Sequence, residues 1–127
     1  MSQEIHVEVK EDHLLAVFSG NFEFKTNRDL LVDILMECIS NKKSKMLFDL
    51  RLLKGDMSTY ERYSIATFFA DLTRQHEETT KIQVAVVGNP PLIDPNRFGE
   101  TVAKNHGLNI KVSNDMDEAT GWLGIET

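Results

Sequence analysis

Residues 45–61 read KMLFDLRLLKGDMSTYE. The stretch has the pattern of an apolar strand from Lys45 to Leu50, a polar exit, a loop with one glycine, and a helix opening near Ser58. Strand-to-helix junctions of this kind carry the working residues of open α/β sheets, because the carboxyl ends of the strands leave a crevice there. Five side chains at this junction are candidates for recognition or regulation: Asp49, Arg51, Asp56, Ser58 and Thr59.

Upstream, residues 4–10 alternate, with Ile5, Val7 and Val9 set against His6, Glu8 and Lys10, as expected of a strand with one wet face. Glu11 and Asp12 make a turn, and residues 13–19 form a second, more continuously apolar strand paired to the first as a hairpin. Phe22 and Phe24 fall in the connection, placed to pack under the next helix. That helix is expected from Thr26, where Asp29 completes a T-x-x-D start signal, and its stripe is Leu30, Leu31, Ile34, Leu35, Cys38 and Ile39.

Downstream, the helix after the junction sets Ile65, Phe68, Phe69 and Leu72 on one face. Residues 81–87 form a fourth strand, and Gly88-Asn89-Pro90-Pro91 a rigid loop, since neither proline can donate to a sheet ladder. Asp94-Pro95 reads as an N-cap with proline at the first helical position, opening a helix to His106 that Gly107 stops. A short fifth strand over 108–112 and a last helix opened by Asp115 and carrying Met116, Ala119, Trp122 and Leu123 complete the chain. The order β-β-α-β-α-β-α-β-α describes one α/β domain over residues 1–127. Its five-stranded sheet is mixed but mostly parallel, carries about four helices, and has an antiparallel first strand, because so short a turn cannot return the chain for parallel pairing.

Composition excludes several functions. Lys and Arg number 14 against 20 Asp and Glu, so the formal charge of -6 repels nucleic acid and anionic membrane alike. No apolar run is long enough for stable membrane insertion, and the first ten residues lack the apolar core of a secretion signal, so the expected location is cytoplasmic. Cys38, the only cysteine, lies on the apolar stripe and reads as a small core residue. His6, His13, His76 and His106 show no ligand spacing, so no metal is expected, and no cofactor either, since no phosphate-binding glycine pattern or nucleophile elbow occurs.

With Leu47-Phe48-Asp49-Leu50-Arg51 followed by Gly55, and Glu118-Ala119-Thr120-Gly121-Trp122-Leu123 near the end, the order of elements resembles the STAS domain. More closely it is similar to the bacterial SpoIIAA-like branch, grouped structurally with SEC14-like lipid-transfer domains. The resemblance implies a regulatory, non-enzymatic protein-interaction module acting through the loop and helix after the third strand, with a protein partner or a homodimer. The SEC14-like side of it implies an alternative, the binding or sensing of an apolar small molecule or lipid, with Phe22, Phe24 and Trp122 as candidate lining. Anti-anti-sigma factors of the family carry a phosphorylatable serine in a D-S-x-G motif at this helix start. Here the region reads Gly55-Asp56-Met57-Ser58-Thr59-Tyr60, which lacks that motif.

Two readings stand at each candidate. Ser58 is either a phosphosite at a helix N-terminus, with Thr59 beside it, or the cap of an S-x-x-E box completed by Glu61. The box explains both residues without a kinase and is preferred. Asp49 and Arg51 either hold and orient an anionic group, or are structural, with Asp49 accepting from loop N–H groups and Arg51 paired to an acid such as Asp56. The structural reading is preferred. An enzyme built on this pair is the weakest expectation, because no nucleophile or base accompanies it. Simple core packing is the first reading for Phe68 and Phe69.

Overall fold

A computed structural model describes residues 3–76 and 81–125. Its elements run β1 (Glu4–Val9), β2 (Leu14–Asn21), α1 (Phe24–Ser40), β3 (Lys45–Lys54), α2 (Thr59–Gln75), β4 (Gln83–Val87), α3 (Phe98–Asn105), β5 (Asn109–Ser113) and α4 (Met116–Leu123). The strands lie side by side in chain order. β1 pairs antiparallel with β2, and every later pair is parallel, as the alternation of strands and helices required.

Period-two patterning then divides the core in two. Leu14, Ala16 and Phe18 of β2, Met46 and Phe48 of β3, Val84 of β4 and Ile110 and Val112 of β5 face α1, α2 and α3. The opposite face gives Leu47, Ala85 and Val87 to α4, which covers them with Ala119 and Leu123. A sequential sheet with right-handed crossovers gathers its crossover helices on one face, leaving the other wet, partnered or closed by a helix. The last helix closes part of it. β1 remains outside its reach, with His6, Glu8 and Lys10 linked across the wet side, while Leu15 of β2 packs at the edge of the α4 cluster.

β3 departs most from expectation, running four residues past Leu50. Val17 pairs with Asp49 but Ser19 pairs with Leu52, so Leu50 and Arg51 stand opposite the single residue Phe18. This is a bulge, and it inverts the alternation of everything after it. Leu53 therefore enters the main core while Leu52 is 62% exposed.

Other boundaries shift for local reasons. α1 starts two residues before Thr26, and T-x-x-D is not its cap. Gln3 does that work, its Oε1 accepting from Glu23 N at 3.1 Å and its Nε2 donating to Asn27 Oδ1 at 2.8 Å. Phe24 is thus the first residue of α1 and not part of the connection. α3 starts at Phe98, not at Pro95, because Arg97 takes a left-handed conformation (φ 55°) that interrupts the helix; Asp94 still accepts from Phe98 N at 2.9 Å. Phe69 is core, but Phe68 is half-buried beneath the Arg28 guanidinium, 4.6 Å from its ring centroid. Cys38 is fully buried, and its thiol is pushed up to about 11 by that burial, offset only weakly by Lys43. It is protonated and inert at neutral pH, in keeping with a packing role.

Candidate recognition site at the carboxyl ends of the strands

The β3–α2 junction is built from three local devices. Gly55, at φ 118°, turns the chain out of β3 in a conformation costly for any side chain, just after Phe22 N donates to Lys54 O at 2.8 Å. Asp56 Oδ1 then accepts from Met57 N at 2.8 Å. Ser58 caps α2 reciprocally: its Oγ accepts from Glu61 N at 3.1 Å and Ser58 N donates to Glu61 Oε1 at 2.9 Å. The expected capping box is therefore present. Ser58→Ala should cost about 1 kcal/mol, read as a lower urea midpoint at unchanged slope. A loss under a few tenths would mean that Glu61 and solvent hold the helix end without the hydroxyl.

Arg62, one turn into α2, is the residue that sequence reasoning missed. Its Nη2 donates to Asp56 Oδ1 (3.2 Å), Pro91 O (2.6 Å) and Leu92 O (3.2 Å), joining the junction loop to the loop after β4. Its side chain is only 14% exposed. Nothing local marks it, because its three partners all lie outside its own helix. The loop it grips contains a cis Pro90–Pro91 bond.

Asp49 and Arg51 lie elsewhere. They point to the α4 face, whereas the junction loop and α2 belong to the other side of the sheet. Arg51 Nε and Nη2 donate to Asp49 Oδ1 and Oδ2 at 2.9 and 2.8 Å, and Arg51 N donates to Oδ1 at 3.1 Å. The expected pairing of Arg51 with Asp56 is corrected: Asp56 pairs with Arg62. The signal was present in the sequence, since residues two apart on a strand share a face. Burial pushes the Asp49 carboxyl up, but the bonds and charge of Arg51 outweigh it and hold the group below its ordinary value. A carboxylate so held is a weaker base than a free one, which argues against general-base work near neutrality. The pair lines a groove of about 820 Å3 with Lys10 and His13 from the hairpin turn and Met116 and Thr120 from α4. The five predicted site residues therefore divide, with Asp56, Ser58 and Thr59 at the loop and Asp49 and Arg51 across the sheet.

Two further features surround the loop. Tyr60 and Tyr63, three residues apart on α2, are 71% and 48% exposed. Beneath the loop, between the sheet and α1–α3, lies an apolar cavity of about 130 Å3 walled by Phe18, Phe22, Phe48 and Phe69 among others. Of the candidate lining residues only Phe22 reaches it; Phe24 does not, and Trp122 packs on the far side beside Leu47, Ala85 and Val87. Among the described residues no group of three or more His, Cys, Asp or Glu could hold a metal ion, and no helix is long and apolar enough to cross a membrane.

A mixed five-stranded sheet in sequential order, antiparallel only at β1, with three helices on one face and the last on the other, has the STAS/SpoIIAA-like fold. Solved structures agree. An anti-sigma factor antagonist from Mycobacterium paratuberculosis matches over 97% of this chain and 95% of its own, with TM-score 0.63 and 15% identity. A protein with a SpoIIAA-like fold from Shewanella loihica matches over 95% and 93%, with TM-score 0.55 and 20% identity. No family model and no curated protein matches the sequence. At these identities the likeness establishes the fold, in line with the resemblance drawn from the Phe48-Asp49-Leu50-Arg51 strand end.

Proposed function

We propose that the chain is a non-enzymatic, cytoplasmic regulatory module of STAS type that recognises a protein partner through the loop and helix after β3. One observation carries the reading: Tyr60 and Tyr63 stand exposed on one side of the first two turns of α2, directly after the loop. Aromatic side chains are costly to leave in water and are the commonest anchors of protein interfaces. Leu52, turned outward by the bulge, is exposed on the face opposite Leu53 and so lies apart from this surface. The similar fold of an anti-sigma factor antagonist, a protein whose name describes action on another protein, supports the same reading. With Ser58 engaged in the capping box, recognition rests on side-chain surface and not on a phosphate switch.

Affinity capture on the full chain tests this, comparing wild type with a Tyr60→Ala, Tyr63→Ala double variant and with Lys104→Ala on α3. The double variant should fold normally and lose a specifically captured partner by roughly 2 kcal/mol or more. The Lys104 variant should retain it. Equal retention by all three would move the recognition surface away from α2. If Ser58→Ala and Ser58→Asp both bind as wild type does, Ser58 acts only as a cap.

A second reading, binding of a small apolar molecule, is favoured by the cavity beneath the same loop. It lies under the carboxyl ends of the strands, where open α/β sheets take their ligands.

A further inference from the structure

This inference rests on the cavity reading and narrows its ligand. Three properties of the cavity bear on what fits. The first is size: about 130 Å3. A dry apolar cavity of about 150 Å3 admits a molecule the size of benzene, so the interior of this one, which is partly open, is filled by a single ring or a short branched chain. The second is an unmet donor. Arg62 lines the cavity, its Nη2 is committed to Asp56, Pro91 and Leu92, and its Nε is buried with no hydrogen-bond partner among the described residues. Native proteins seldom leave such a group unanswered, and an apolar wall offers it nothing. The amide side chain at this wall, Asn27, already accepts from Gln3.

The third is charge. Arg62 and Arg97 line the cavity, but so do Asp94 and Glu100, and Asp56 adds a third carboxylate against Arg62. Glu100 accepts from Val112 N at 2.6 Å and Asp94 from Phe98 N, so both acids are fixed in place. Two cations facing three acids give an anion no advantage. What the wall lacks is one neutral acceptor. We propose that the cavity binds a compact, uncharged, ring-sized molecule whose single carbonyl-type oxygen accepts from Arg62 Nε while its hydrocarbon packs against Phe48 and Phe69.

Amide NMR titration of the full chain tests this with four probes: cyclohexanone, methylcyclohexane (similar shape without the oxygen), cyclohexanecarboxylate and palmitate. Cyclohexanone should give saturable shifts around Leu53, Ala66 and Ile93, with a dissociation constant on the order of millimolar or tighter, as suits so small a ligand. Methylcyclohexane should bind about tenfold more weakly, the worth of one hydrogen bond to a charged donor. Arg62→Lys, which removes Nε but keeps the charge, should erase that difference, and Ala66→Leu, which fills the cavity, should abolish both. Equal affinity of cyclohexanone and methylcyclohexane in wild type overturns the acceptor assignment but leaves the cavity reading standing. So does preferential binding of the carboxylate, or of palmitate. Failure of all four probes overturns both.

Discussion

Phe48→Ala is expected to destabilise the protein by about 3–5 kcal/mol, the cost of truncating a buried aromatic. Phe48 stands at the middle of the sheet, with its ring edge-on to Phe18 at 5.7 Å and tilted against Phe69 of α2 at 5.6 Å. The loss therefore includes two aromatic contacts as well as transfer free energy, and Phe48 also walls the existing cavity, so the void it leaves joins space that is already open. Domains of this size are stable by about 5–15 kcal/mol, so the variant would sit near its folding threshold at ambient temperature. Urea unfolding followed by circular dichroism measures this directly. A loss under about 1.5 kcal/mol would mean that α2 collapses onto the sheet, and the cavity should then disappear as well.

Arg51→Ala should have the second largest effect, and one that depends on pH. In the wild type the Asp49 carboxyl is held below its ordinary value. The ion pair thus contributes stability above the unfolded carboxylate pKa of about 3.9, and loses it as pH falls through the lower folded value. Removing Arg51 leaves the opposing effect of burial, with Asp49 still 11% exposed in its side chain. The folded pKa then rises above the unfolded one. Protonation becomes favourable to folding, and stability declines as pH climbs through the new folded value. The variant should be weaker than wild type by about 2 kcal/mol at pH 7, below the range for fully buried pairs because Arg51 is half-exposed, and the gap should close toward pH 3. Asp49→Asn in the Arg51→Ala background should recover part of the loss, by replacing a buried charge with a neutral amide. Denaturation midpoints from pH 3 to 7 decide the matter, and a gap independent of pH would show that Asp49 is solvated through the groove.

The separation of this pair from Ser58 bears on function. At first reading the junction concentrates five polar residues into one site. In the fold, Asp49 and Arg51 stabilise the bulge: the Arg51 N–H, bound to Asp49 instead of to the β2 ladder, is the donor a bulge leaves over. In the proposed recognition their contribution is indirect. By holding the bulge they set where Gly55 begins the loop. Arg62 acts from the opposite side, fastening the loop to Pro91 and Leu92. The surface bearing Tyr60 and Tyr63 is therefore presented on a braced junction.

The sequence by itself determined what depends on near neighbours. Strand alternation in residues 4–10, the helical stripe from Leu30 to Ile39 and the Ser58–Glu61 box are each set by spacing along the chain, and element order followed from them with the antiparallel first hairpin. Only the tertiary structure decided what depends on register and on distant partners. The bulge exists because β3 pairs with the end of β2, and one extra residue there exchanges the faces of Leu52 and Leu53. α4 lies on the far face because the near one is already filled by α1–α3. Arg62 matters because Pro91 and Leu92, which it holds, arrive from a loop 29 residues and more along the chain. Periodicity records which side of an element is apolar. It carries no record of which other element comes to meet that side, and the proposed recognition surface and the cavity are both set by that meeting.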